Sequence, residues 1–329
     1  MAVSIELIKK LRTLTGAGLS DCKNALQESD GDLEAAVEIV RKKGQAIAAK
    51  RSDRETSNGC VLVKYADGFA AIIALKCETD FVATNKDFVK LTQDILDAAV
   101  AAKCATIEEV KALPLGAGTV QDAVVDRSGI TGEKMELDGY ITLSGENIYT
   151  YNHMNNNTLC TLVQLNKPFE EQGHQLTMQV AAMNPVAVDE NSVPQEVKDN
   201  EYKVAVEKTK EELAQKAVEA ALKKAGFNLY IAENEEHIEE GIRKGNITEA
   251  EADEIRKIKV DVAAAKLASL PEQMLQNIAN GRMNKFYKDF TLLAQEFIQD
   301  SKISVADYLK QADKELTVTA FRRFTLRAE

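Results

Sequence analysis

The sequence predicts an α+β protein: an N-terminal three-helix module, a duplicated α+β core with an antiparallel sheet, and an antiparallel coiled-coil hairpin inserted into that core. Three observations carry this. Apolar residues recur at helical spacing in three short runs before residue 45. A strand–strand–helix pattern occurs twice, about 80 residues apart. A charged, Ala-rich stretch at 195–270 interrupts the second copy.

Ile5, Leu7, Ile8 and Leu11 form the first stripe, broken by Gly16-Ala17-Gly18. Leu19, Cys22, Ala25 and Leu26 form the second, stopped by Gly31. Asp32 caps a third helix carrying Leu33, Ala36, Val37 and Val40, and Gly44 is expected to end it. Residues 45–58 read as a polar linker, with a helical start left open. Cys60–Tyr65, the turn Asp67-Gly68 and Phe69–Lys76 then read as a hairpin. The segment Thr79-Asp80-Phe81-Val82 stands at a corner before a helix from about Asn85 to Lys103 that carries Phe88, Leu91, Ile95 and Leu96.

The second copy is expected to open at Gly139–Leu143, return through Leu159–Leu165 and continue as a helix at Glu170–Met183. Tyr202, Val206, Leu213, Ala217 and Ala220 begin the coiled coil, which resumes at Ile255, Ile258 and Val262 and closes at Pro271, with a helical tip near His237–Asn246. A last strand near Leu316–Phe324 rejoins the core. The expected segments are therefore 1–54, 55–138, 139–194 with 271–329, and the arm at 195–270, which its charged outer faces should make project.

Composition narrows the function. The chain has 329 residues, a net charge of −11, no Trp and 5 Cys. An acidic surface repels phosphate backbones, so nucleic acid is not expected as a partner. The widely spaced cysteines fit reduced thiols in a cytoplasm, and three His residues leave no zinc site in view. No signal peptide is evident, and no apolar run approaches the ~18 residues of a membrane span. There is no phosphate-binding loop, no G-x-S-x-G and no H-E-x-x-H, so neither an enzyme nor direct nucleotide binding nor a cofactor is expected.

The corner at 79–82 is what remains. A carboxylate beside a large exposed aromatic suits action on another protein. Mg²⁺ takes oxygen ligands in a strict octahedron that a competing carboxylate upsets. A Phe filling a partner's pocket gains about 2 kcal/mol.

Four motifs carry a resemblance. Thr15-Gly16-Ala17-Gly18-Leu19-Ser20-Asp21-Cys22-Lys23, Cys77-Glu78-Thr79-Asp80-Phe81-Val82-Ala83, Gly281-Arg282-Met283-Asn284-Lys285-Phe286 and Val318–Phe324 resemble, in order, segments of the elongation factor Ts family. The resemblance implies a ubiquitin-associated-like fold for residues 1–54. It implies guanine-nucleotide exchange on elongation factor Tu, promoting GDP release during translation elongation. Thr79, Asp80, Phe81 and Val82 would then enter the partner's GTPase domain near its Mg²⁺. Arg12, Leu19 and Ser20 would dock the N-terminal module on the same domain, and His153 in Tyr151-Asn152-His153 would make a loop contact. The arm would offer secondary contacts to the partner or to a second copy, which leaves a homodimer open. The competing reading is an adaptor without exchange activity, whose coiled coil mediates oligomerisation; it leaves residues 79–82 unexplained.

Overall fold

The computed structural model describes residues 3–51 and 53–326. Residues 1, 2, 52 and 327–329, which fall within the expected segments 1–54 and 271–329, lie outside the described residues. The chain divides into two compact units: Met1–Val188 with Glu296–Glu329, and Asp189–Gln295.

The first unit begins with three helices, α1 (Ile5–Thr15), α2 (Leu19–Glu28) and α3 (Leu33–Ala49). The Ser4 hydroxyl caps α1 by accepting from Leu7 N, and Gly16 ends it at φ 68°. Asp32 caps α3 through the amides of Glu34 and Ala35. Leu11, Cys22, Ala25, Leu26 and Ala36 close a small core. Contrary to the expectation from sequence, Gly44 does not end the third helix. It lies inside α3, at a helix crossing described below.

The sheet follows. Strands β1 (Asn58–Ala66) and β2 (Phe69–Cys77) form an antiparallel hairpin. Asp67 and Gly68 both take positive φ, 48° and 75°, as a tight two-residue turn requires. The single turn α4 (Asp80–Ala83) leads into α5 (Lys86–Ala102). Then come α6 (Ile107–Ala112), the two-residue strands β3 (Pro114–Leu115) and β4 (Gly118–Thr119), and α7 (Val120–Thr131). β5 (Met135–Ser144) pairs antiparallel with β2, so the first sheet has the order β1-β2-β5. Gly139–Leu143 therefore completes the first sheet instead of opening the second copy.

The second copy starts one strand later. β6 (Ile148–Asn152), β7 (Leu159–Leu165) and α8 (Glu170–Met183) repeat the strand–strand–helix order. The chain then leaves for the second unit, formed by α9 (Gln195–Ala225), α10 (Leu229–Ala232), α11 (Glu235–Arg243), α12 (Glu249–Ala268) and α13 (Glu272–Phe290). Val218 and Leu222, near the end of α9, share a core with Ala252 and Ile255, near the start of α12. The two helices thus run antiparallel, as the hydrophobic spacing predicts. Residues 271–295 belong to this helical unit and not to the core: α13 lies along α9, where Arg282 bonds Glu212 at 2.6 Å. Pro271 begins that helix by standing at its N-cap instead of closing the arm.

Back in the first unit, β8 (Glu296–Phe297) and β9 (Asp300–Ser304) pair, α14 (Val305–Ala312) follows, and β10 (Val318–Thr325) joins β7. The second sheet has the order β10-β7-β6, with the hairpin's second strand central as in the first. Val61, Ala70, Ile72 and Ala74 of one sheet meet Ile148, Cys160 and Leu162 of the other. On the far face of the first sheet Phe88, Ile95, Leu96 and Ala99 of α5 cover Leu62, Ile73 and Leu75. Strand β2 is buried on both faces, which explains its continuous apolar run. No helix among the described residues is long and apolar enough to cross a membrane.

Candidate partner-binding site

Residues 79–83 sit where β2 leaves its sheet. Thr79 is extended (φ −120°, ψ 157°), and its hydroxyl accepts from Val82 N, capping the one turn of α4. Val82 and Ala83 pack inward against the α5 side of the first sheet. With that face fixed, helical geometry sends Asp80 and Phe81 outward. Phe81 is 83% exposed, the most exposed large apolar side chain among the described residues. A single exposed Leu or Val needs no explanation, but an aromatic held at the tip of a capped turn is a presented group.

The turn is tied down from beneath. Thr79 N and Oγ1 donate to the two oxygens of Glu133, at 3.0 and 2.6 Å. The Cys77 thiol donates to Thr79 O at 3.2 Å. Burial pushes that thiol up to about 12, so it stays protonated and can act as the donor. Asn58 Nδ2 donates to Glu78 O at 2.9 Å. The Glu78 carboxylate accepts from Lys134 N at 2.6 Å, Arg54 at 2.8 Å and Arg51 at 3.3 Å. The Lys134 amide and the two guanidinium groups hold it below the usual carboxylate range, against the opposing effect of its burial.

The other predicted residues lie in two places. Arg12, Leu19 and Ser20 flank the corner between α1 and α2, and all three are exposed, Leu19 by 55%. His153 is half-buried, with its ring edge-on to Tyr151 and Nδ1 3.3 Å from the Tyr151 hydroxyl. The loop that follows it is more accessible: Met154 is 76% exposed. Asn155, Asn156 and Asn157 line a cleft of about 510 Å³ together with Asp80, Ala83 and Thr84. The structure thus brings the second copy's loop and the Asp80 turn to one cleft, while His153 itself does not line it. Asn157 O accepts from Val61 N at 2.7 Å, which fixes the loop to the first sheet.

The N-terminal module is also anchored. α3 crosses α7 at Gly44 and Gly129, and a Cβ built on Gly129 would collide with the Gly44 backbone. Arg41 reaches Asp126 at 3.5 Å beside the crossing. Burial raises the Asp126 carboxyl, only partly offset by Arg41. Sequence reasoning missed Glu133 and Gly129. Glu133 follows Gly132, which ends α7 at φ 70°, a recognisable helix stop. Nothing in the sequence ties that stop to residue 79, 54 positions earlier.

Comparison with known proteins agrees with the resemblance in the motifs. A family model described as elongation factor TS matches residues 78–328. The elongation factor Ts of Bacteroides fragilis is 62% identical over 330 residues, covering all of both chains. Those of Parabacteroides distasonis and Porphyromonas gingivalis are 60% and 44% identical, again over the full length of both. The chain belongs to the elongation factor Ts family of translation elongation factors.

Proposed function

We propose that the protein is the guanine-nucleotide exchange factor of elongation factor Tu, and that Asp80 and Phe81 act on the Mg²⁺–GDP site of that partner's GTPase domain. The observation that supports this most is the presentation of Phe81: an aromatic 83% exposed, on a turn held from beneath by Glu133.

The mechanism follows from linkage. A factor that binds the nucleotide-free partner better than the GDP-bound one weakens GDP by the same ratio. Phe81 supplies apolar area that is realised only when a pocket opens for it. Asp80, next to it, brings a carboxylate to an ion whose octahedral shell tolerates little intrusion. The phosphate contacts loosen and GDP leaves. No covalent step is involved, and no residue needs to act as nucleophile or base.

The N-terminal module adds a second contact through Arg12, Leu19 and Ser20, and the loop after His153 a third. The helical unit offers secondary contacts to the partner or to another copy. The cytoplasm is where such a factor works.

Capture of GDP-loaded elongation factor Tu on immobilised protein, followed by assay of retained nucleotide, tests the reading. Exchange activity predicts that the captured partner has lost its GDP. A captured partner that keeps GDP would make the protein an adaptor, and no capture would reject the pairing.

A further inference from the structure

We propose that Glu78 and Glu133 form a reciprocal clasp that positions the Asp80–Phe81 turn, so that both are positioning residues for nucleotide exchange; the proposal rests on the exchange reading above. The clasp lies just beyond the last pair of the β2–β5 ladder, Cys77 with Met135. Past that pair the two strands diverge, one into α4 and the other back toward α7. Backbone amides there lose their ladder carbonyls and need other acceptors.

Two carboxylates supply them across the gap. Glu133 accepts from Thr79 N, and Glu78 accepts from Lys134 N at 2.6 Å. Each of two adjacent residue pairs therefore lends a side chain to the other's backbone. The Thr79 hydroxyl is used twice, donating to Glu133 and accepting from Val82 N, which fixes its rotamer and the start of α4 together. Glu133 in turn is held by the end of α7: Ser128 Oγ donates to its carbonyl at 2.5 Å, and its own amide donates to Thr131 Oγ1 at 3.3 Å. Arg51 and Arg54 balance the second negative charge from the side of the linker.

The consequence is preorganisation. Phe81 points outward because Val82 and Ala83 pack inward and Thr79 is held at two atoms, and Thr79 is held because α7 ends where it does. A turn of 4 residues with one cap has little stability of its own. Without the clasp only the packing of Val82 and Ala83 would hold it, and only a fraction of docked complexes would present Phe81 productively. That loss falls on the release step and not on the docking of the rest of the surface.

The test is release of a fluorescent GDP from elongation factor Tu, followed against concentration of the full-length chain, for wild type, Glu133→Ala, Glu133→Gln, Thr79→Val and Phe81→Ala. Thermal unfolding of each variant runs in parallel. Glu133→Ala should lower the maximal release rate roughly tenfold, as loss of two hydrogen bonds implies, with the half-saturating concentration within about threefold of wild type. Glu133→Gln keeps an acceptor oxygen and should recover most of the rate. A wild-type maximal rate in Glu133→Ala, a loss confined to the half-saturating concentration, or no recovery in Glu133→Gln overturns the clasp. If Glu133→Ala does not fold, Thr79→Val decides: it removes only the hydroxyl bonds and should slow release about threefold, and a wild-type rate overturns the proposal. A wild-type chain that does not accelerate release rejects the exchange reading itself and the clasp with it; a wild-type rate in Phe81→Ala removes Phe81 from the release step and overturns the clasp; and a slow Phe81→Ala beside a normal Glu133→Ala rejects the clasp alone.

Discussion

Gly44 of α3 and Gly129 of α7 meet backbone to backbone, which docks the N-terminal helices on the core at a distance that a side chain at Gly129 would not allow. The same helix, α7, ends at Glu133's turn beneath Phe81. One element thus fixes both candidate contact regions of the first unit, the module bearing Leu19 and the turn bearing Phe81.

Gly129→Val should therefore undock the module without unfolding either part, because overpacking at a single crossing costs on the order of 1–3 kcal/mol. Two contacts on a floating link bind less well than two on a rigid one, so the half-saturating concentration for GDP release should rise about tenfold. The maximal rate should stay near wild type, since the clasp under Phe81 remains. Titration of release rate against factor concentration separates the two parameters. An unchanged half-saturating concentration would mean that docking of the module contributes nothing to partner binding.

Two phenylalanines seven residues apart should behave oppositely in stability. Phe88 is fully buried under the first sheet, so Phe88→Ala should cost about 3–5 kcal/mol. Phe81 is exposed, so Phe81→Ala should change stability by less than about 0.5 kcal/mol. Urea unfolding of both variants checks the contrast. A destabilised Phe81→Ala would place Phe81 in the fold and not at an interface.

Glu78 predicts a pH dependence. Its carboxyl is lower in the folded protein than in the unfolded chain, chiefly through the Lys134 amide and the arginines. The sign follows: the unfolded state binds the proton more readily, so the stabilisation is present above the ordinary carboxylate value of about 4.3 and is lost as pH falls through the lower folded value. Glu78→Gln should flatten the part of the stability curve that falls as pH drops below about 4.3. Because Arg54 is exposed, the change should be modest. Chemical denaturation at several pH values in both proteins measures it, and parallel curves would contradict the assignment.

The five cysteines are all buried and free. Burial pushes Cys60 up to about 11 and Cys77 and Cys160 up to about 12. Little thiolate exists at neutral pH, so alkylation of the folded protein at pH 8 should be slow at these three and rapid after unfolding. Mass spectrometry of iodoacetamide-treated samples reads this directly. Fast labelling of Cys77 in the folded protein would show that the base of the Phe81 turn opens.

Much of this architecture was legible in the residues. Asp67-Gly68 marked the first hairpin because a tight turn needs two positive φ values and these residues allow them. The α9–α12 hairpin was visible because one face is apolar and the rest charged. The α7 helix was not visible. Val120, Val124 and Ser128 are buried on one side while Asp126 and Gly129 meet α3 on another, so no single apolar stripe survives. Gly44 misled for a related reason. In isolation a glycine reads as a helix stop, whereas α3 runs on through Gly44 and packs there against Gly129 of α7. β5 reads as the opening of the second copy because its pairing with β2 leaves no local trace in the sequence. At the site, Asp80 and Phe81 could be read from a charge and an aromatic at a strand end. Glu133 could not, because its role depends on a contact across the sheet edge.

In the exchange reading, the exposed pair Asp80–Phe81 drives nucleotide release from a partner. The most direct measurement is stopped-flow release of labelled GDP from elongation factor Tu with wild type, Phe81→Ala and Asp80→Ala at saturating concentrations. Phe81→Ala should lose at least about tenfold of the acceleration, in line with roughly 2 kcal/mol for a buried Phe, and Asp80→Ala should also slow release. Wild-type acceleration in both variants would contradict that role.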